Sequence, residues 1–125
     1  TAWQERLPMR DERLIVIAHS WGGAGAAYAL SYGFTCDTLI TIDTPHRPSL
    51  NEIWAAGVEN RRQHLHLKAG GRWFGHSMMR VLGSRGWRAP MATADRILPI
   101  TGGHSGIVTL GSGHTAQWHD ILESL

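Results

Sequence analysis

The chain has 125 residues, 42% of them hydrophobic and 18% charged, with a formal net charge of +2. That length suits one domain able to bury roughly two-thirds of its unfolded surface. The composition excludes a disordered chain, and so small a charge argues against nucleic-acid binding, since the arginines are scattered apart from Arg61-Arg62.

A single cysteine, Cys36, rules out an internal disulfide and favours a reducing compartment such as the cytoplasm. No apolar run approaches the length of a membrane span.

Residues 1–13 are polar and include Pro8; a short helix over Ala2 to Leu7 and then a loop is expected. Leu14 to His19 is a near-continuous apolar run, as expected for a strand buried on both faces. Gly22 to Ser31 is rich in alanine and glycine and predicts a helix packed closely on a sheet, with Gly33 placed to end it. Thr38 to Ile42 predicts a second buried strand, followed by Asp43-Thr44-Pro45. Residues 49–57 predict a helical turn, and the alternation from Gln63 to Lys68 predicts a third strand. The stretch from Gly70 to Pro90 is irregular, and its aromatic and methionine residues suit core and connection or the lining of an acyl pocket. Arg96 to Ile100 predicts a fourth strand, and Pro99 puts it at a sheet edge. A glycine-rich loop from Gly102 to Gly113 leads to a last helix reaching Leu125, with Trp118, Ile121, Leu122 and Leu125 on one face. Strands alternating with helices predict an α/β class fold, a mostly parallel sheet with flanking helices in a single domain over 1–125.

The junction of the first strand and helix carries the chemistry. Ala18-His19-Ser20-Trp21-Gly22 has the form of G-x-S-x-G with alanine for the first glycine. A sharp strand-to-helix turn exposes the serine hydroxyl and needs small residues two positions either side. Ser20 is therefore the candidate nucleophile; the plainer reading is a helix N-cap serine. A hydroxyl is a weak nucleophile and needs a base, a carboxylate to orient that base, and donors for the oxyanion. His104, in the glycine-rich loop, is the preferred base, followed by His114 and then His46. Asp43 is the preferred acid, because it ends a strand at the carboxyl side of the sheet. Asp95 is the rival acid, although it precedes its strand, and an Asx-type turn cap is the structural alternative for Asp43. The Trp21 amide is the natural oxyanion donor, beside the positive end of the helix that follows.

These residues resemble the α/β-hydrolase superfamily, in particular its lipase- and esterase-like members. Ala18 to Gly23 looks like the nucleophile elbow, Thr41 to His46 like a strand end that carries the acid in some lipases, and Gly103 to Val108 like the catalytic-histidine loop. The resemblance spans residues 14 to 125 and implies the second half of that fold, from the elbow strand onward, without its N-terminal strands. It implies a serine hydrolase acting on a small carboxylic ester or thioester, with no cofactor. The family commonly carries its acid after the next-to-last strand, where this chain reads Lys68-Ala69-Gly70-Gly71-Arg72 and offers no carboxylate. With the earlier strands absent, the elbow strand has an unpaired edge, which a second copy, a partner chain or a preceding segment would cover.

Two other readings stand beside this one. A hydrolase-like domain without catalysis would act as a binding or assembly piece. Gly23-Ala24-Gly25-Ala26-Ala27-Tyr28, with Asp43 following, imitates a dinucleotide fingerprint, although Tyr28 takes the third glycine position. His64 and His66 share a strand face, but no Cys or carboxylate cluster accompanies them. An ordinary polar face is expected there rather than a metal site.

Overall fold

A computed structural model describes residues 13–44, 48–69, 93–100, 107–108 and 114–125. Four strands, β1 (Ile15–His19), β2 (Cys36–Ile42), β3 (Arg61–Ala69) and β4 (Arg96–Ile100), form one sheet in the order β1-β2-β3-β4. Every neighbouring pair is parallel. The described helices are α1 (Gly22–Ser31), α2 (Asn51–Ala56) and α3 (Thr115–Glu123), with 3-10 turns at Pro48–Leu50 and Val58–Asn60. The fold is of the α/β class: a parallel sheet flanked by helices.

Strand alternation sends side chains to two faces, and each face has its own core. On one, Leu39 of β2 and Ala18 of β1 join Ala27 and Leu30 of α1 and Trp54 of α2. On the other, Ile40, Ile42, Leu65, Leu67 and Ile100 meet Ile107 and Ile121 of α3. Leu39, Ile40, Ile42 and Leu67 are completely buried. Each such side chain contributes roughly 1.5–3 kcal/mol of hydrophobic stabilisation. The central strands β2 and β3 thus anchor the fold.

Helix α1 buries Gly23, Ala27 and Leu30, one stripe at helical spacing. Its small residues bring its backbone close to the sheet. Gly33 follows its C-terminus at φ 104°, a left-handed conformation that glycine adopts without strain. The Gly33 and Phe34 amides donate to the Leu30 and Ala29 carbonyls, closing the helix end. Asn60 Nδ2 also donates to the Leu30 carbonyl, at 2.7 Å, tying the turn before β3 to this end.

Two expectations change. The apolar run of β1 reads as buried on both faces, yet among the described residues Ile17 is 51% exposed and Ile15 is also exposed; β1 is the end strand of the described sheet. Apolarity cannot distinguish an edge strand from an inner one, because pairing is decided by distant segments. In α3, Ile121 is buried and Trp118 and Leu125 pack on the core, but Leu122 is exposed. The four share one face about 100° wide, and Leu122 lies at the margin of that face, farthest from Ile121. β4 is an edge strand as Pro99 requires, and β2 and β3 each begin two residues before their expected starts. The expected helix near Ala2 lies outside the described residues.

Candidate active site

All four strands run the same way, so their carboxyl ends share one edge. Register places His19 opposite Ile42, and Ile42 opposite Leu67. Ser20 and Asp43, the next residues on β1 and β2, therefore leave the sheet side by side. The Ser20 amide donates to the Ile42 carbonyl at 2.8 Å, and the Asp43 amide donates to the Leu67 carbonyl at 2.9 Å.

Both residues adopt left-handed backbone, Ser20 at φ 56° and Asp43 at φ 46°. Among the described residues they are the non-glycine positions with positive φ. For serine this conformation is costly, and such strain persists only where the surroundings impose it. Here the imposed turn is the reversal from β1 into α1. The Gly23 amide donates to the Ser20 carbonyl at 3.1 Å, so the helix begins directly after the serine.

The small neighbours have measurable reasons. A Cβ placed on Gly22 would lie 4.0 Å from the Ala18 Cβ, so the two flanks of Ser20 face each other. A Cβ on Gly23 would lie 2.5 Å from Thr44 Cγ2 and 2.8 Å from Thr44 Cβ, with Thr44 Oγ1 closer still. Only glycine fits there. The residue after Asp43 thereby packs directly against the first turn of α1. Asp43 and Thr44 are both buried, whereas Trp21 is partly exposed at the helix start.

Asp95 lies at the other end of the sheet. Its carboxylate accepts from Arg61 Nη1 at 2.7 Å and from the His64 amide at 2.7 Å. Its own amide donates to the His64 carbonyl at 2.9 Å. Arg61 Nη2 also donates to the Thr93 carbonyl. Asp95 therefore ties the start of β4 to β3, at the amino ends of the strands, away from Ser20. His114 forms the N-terminal boundary of α3; its carbonyl accepts from the Trp118 amide at 3.1 Å, and its Nδ1 lies 3.4 Å from Gln117 Nε2. His104 and His46 lie outside the described residues.

His64 and His66 do not form an ordinary polar strand face. Both rings are completely buried on the α1/α2 side of the sheet. Thr41 Oγ1 lies 2.7 Å from His64 Nε2 and 2.8 Å from His66 Nδ1. Trp54 of α2 stacks on His64, with ring centroids 5.1 Å apart and planes 11° from parallel. Burial, reinforced by Arg61 and by His66, lowers the His64 pKa to about 3. Burial, reinforced by Lys68, lowers the His66 pKa to about 4. Both are neutral imidazoles at pH 7. Sequence reasoning placed the two on one strand face but missed their burial. The available signal was a His-Leu-His-Leu alternation next to a strand as apolar as β2.

Among the described residues no group of three or more His, Cys, Asp or Glu side chains is arranged to hold a metal ion. No described helix is long and apolar enough to cross a membrane. The glycines of the dinucleotide-like stretch, Gly23 and Gly25, lie inside α1 rather than in the strand-to-helix turn. Gly25 has open space around it. Comparison with protein-family models, curated proteins and solved structures finds no match to this chain.

Proposed function

We propose that the chain is a serine hydrolase of α/β-hydrolase type that cleaves a carboxylic ester or thioester through an acyl-enzyme on Ser20. The observation that carries this reading is the left-handed φ of Ser20 at a strand-to-helix turn, with Asp43 leaving the adjacent strand beside it. A helix N-cap serine has β-region backbone and needs no such strain. The small pair Ala18 and Gly22 also fits a turn that presents the hydroxyl.

In this mechanism Ser20 Oγ attacks the acyl carbon while a histidine removes its proton. His104 is the proposed base, and His114 is the reserve. Asp43 orients the imidazole and stabilises its positive charge. The Trp21 amide, with the N-terminal end of α1 behind it, stabilises the oxyanion. The protonated histidine then donates its proton to the departing alcohol or thiol. A water, deprotonated by the same histidine, attacks the acyl-enzyme and releases the acid.

The testing experiment is labelling by a fluorophosphonate probe. Wild-type protein should label and Ser20→Ala should not. Labelling that persists in Ser20→Ala places the reactive group elsewhere. A wild-type protein that stays unlabelled while folded leaves the binding-module reading in its place. The nucleotide reading draws no support from the geometry, because the fingerprint glycines must shape the turn itself.

A further inference from the structure

The His64–Thr41–His66 cluster has no role in the proposed reaction, and all three residues are completely buried. Hydrogen-bond capacity defines what it tolerates. Thr41 offers one hydroxyl hydrogen and two lone pairs, shared between two imidazole nitrogens. His64 Nδ1 and His66 Nε2, the outward nitrogens, are buried and have no hydrogen-bond partner among the described residues. Two neutral rings fit this arrangement better than charged ones: one donates its N–H to Thr41 and turns a bare nitrogen outward, while the other accepts the Thr41 hydroxyl hydrogen and turns its single N–H outward. Two imidazolium rings present four N–H donors, and the two outward ones have no acceptor among the described residues. They would also place two positive charges within hydrogen-bond reach of one oxygen.

The surrounding charges do not relieve this. On β3 the nearby cations are Arg61 and Lys68, which both oppose protonation. Asp95 favours a proton on His64, but its carboxylate already binds Arg61 and the His64 amide. From α2 the facing side chain is Trp54, while the helix's acid, Glu52, is exposed. On β2 the charged residue is Asp37, at the start of the strand, where its carboxylate accepts from the Leu14 amide at 2.7 Å; Asp43 is the first residue beyond the strand end, two positions after Thr41.

We propose that this cluster is an acid-triggered conformational switch: β2 and β3 stay packed under α2 only while both imidazoles are neutral, and mild acid opens that core. The inference stands independently of whether Ser20 is a nucleophile. Because Asp43 follows directly on β2, opening also dismantles the edge at which Ser20 and Asp43 meet.

The direction follows from proton linkage. The unfolded chain binds protons at its histidines near pH 6.5, whereas the folded pair stays neutral until about pH 3 to 4. Above pH 6.5 the pair leaves stability unchanged. As pH falls below that, the unfolded state takes up two protons that the folded state refuses. Each pH unit then shifts the equilibrium about tenfold per histidine, or about a hundredfold for the pair. Two units amount to about 10⁴-fold, on the scale of a small domain's entire stability. Below the folded pKa values the effect levels off.

The experiment measures denaturant unfolding of the chain from pH 7.5 to 4 by tryptophan fluorescence, beside histidine NMR of the folded state. Stability should fall steeply from pH 6.5 to 4.5, and two imidazoles should remain neutral in the folded state down to pH 5. The variant Thr41→Val/His64→Phe/His66→Leu keeps the stack on Trp54 and removes the titrating groups. It should lose about two protons from the slope of log K against pH. Stability that stays flat from pH 6.5 to 4.5, or a folded His64 or His66 that titrates near 6.5, overturns the proposal. So does a folded variant with the wild-type slope. If the variant does not fold, the wild-type NMR titration and pH profile decide.

Discussion

Ser20 and Asp43 occupy equivalent positions on adjacent parallel strands. Each is the first residue beyond the strand end, each donates its amide to a carbonyl of the next strand, and each has left-handed backbone. Two strained non-glycine residues side by side at the carboxyl edge of a parallel sheet are the arrangement on which the proposed site rests. The predictions below follow from that pairing and from the contacts beneath it.

Ser20→Gly should remove the strain and the nucleophile together. Glycine adopts φ near 56° without a Cβ penalty, which outweighs its greater freedom in the unfolded chain. The expected result is a gain of about 0.5–1 kcal/mol in denaturant unfolding, with no probe labelling. A loss of stability would show that the Ser20 side chain supports the turn.

Asp43→Asn should fold normally, since asparagine also tolerates left-handed backbone. Ester turnover should drop by about 10³–10⁴-fold if Asp43 orients the base. His104→Asn should abolish turnover with the fold intact. Full activity in the His104 variant would reassign the base to His114.

Asp95→Ala should separate structure from chemistry. Its carboxylate is the ion-pair partner of Arg61, whose side chain is 4% exposed. Removing it leaves a buried guanidinium short of an acceptor and costs about 1–3 kcal/mol. The rate per folded molecule, normalised by active-site titration, should not change. A rate loss as large as that of Asp43→Asn would restore Asp95 as a candidate acid.

Gly23→Ala should destabilise by about 1–3 kcal/mol, because its Cβ would overlap Thr44. Thr44→Ala in the same chain removes the overlapping hydroxyl and methyl and should recover part of the loss. A double-mutant cycle with no coupling would mean that the helix and the Asp43–Thr44 segment separate freely.

Much of this was legible in the residues themselves. The boundaries of α1 and β4 match the expected ones, because Gly33 and Pro99 act through local backbone rules. The Ala18-x-Ser20-x-Gly22 spacing also announced a constrained turn, since the clash it avoids lies within five consecutive residues. What the sequence determined by itself is therefore what short-range sterics and hydrophobic period dictate: the elements, their alternation and the position of the elbow. Tertiary structure decided the rest. It left Ile17 of β1 exposed among the described residues, because what covers a sheet face depends on distant segments. It assigned Asp95 to Arg61 across 34 positions of chain, at the opposite end from Ser20. It buried His64 and His66 around Thr41, where one hydroxyl and a tryptophan face replace water. Each outcome depends on which side chains meet across the sheet, a relation that no local pattern of residues encodes.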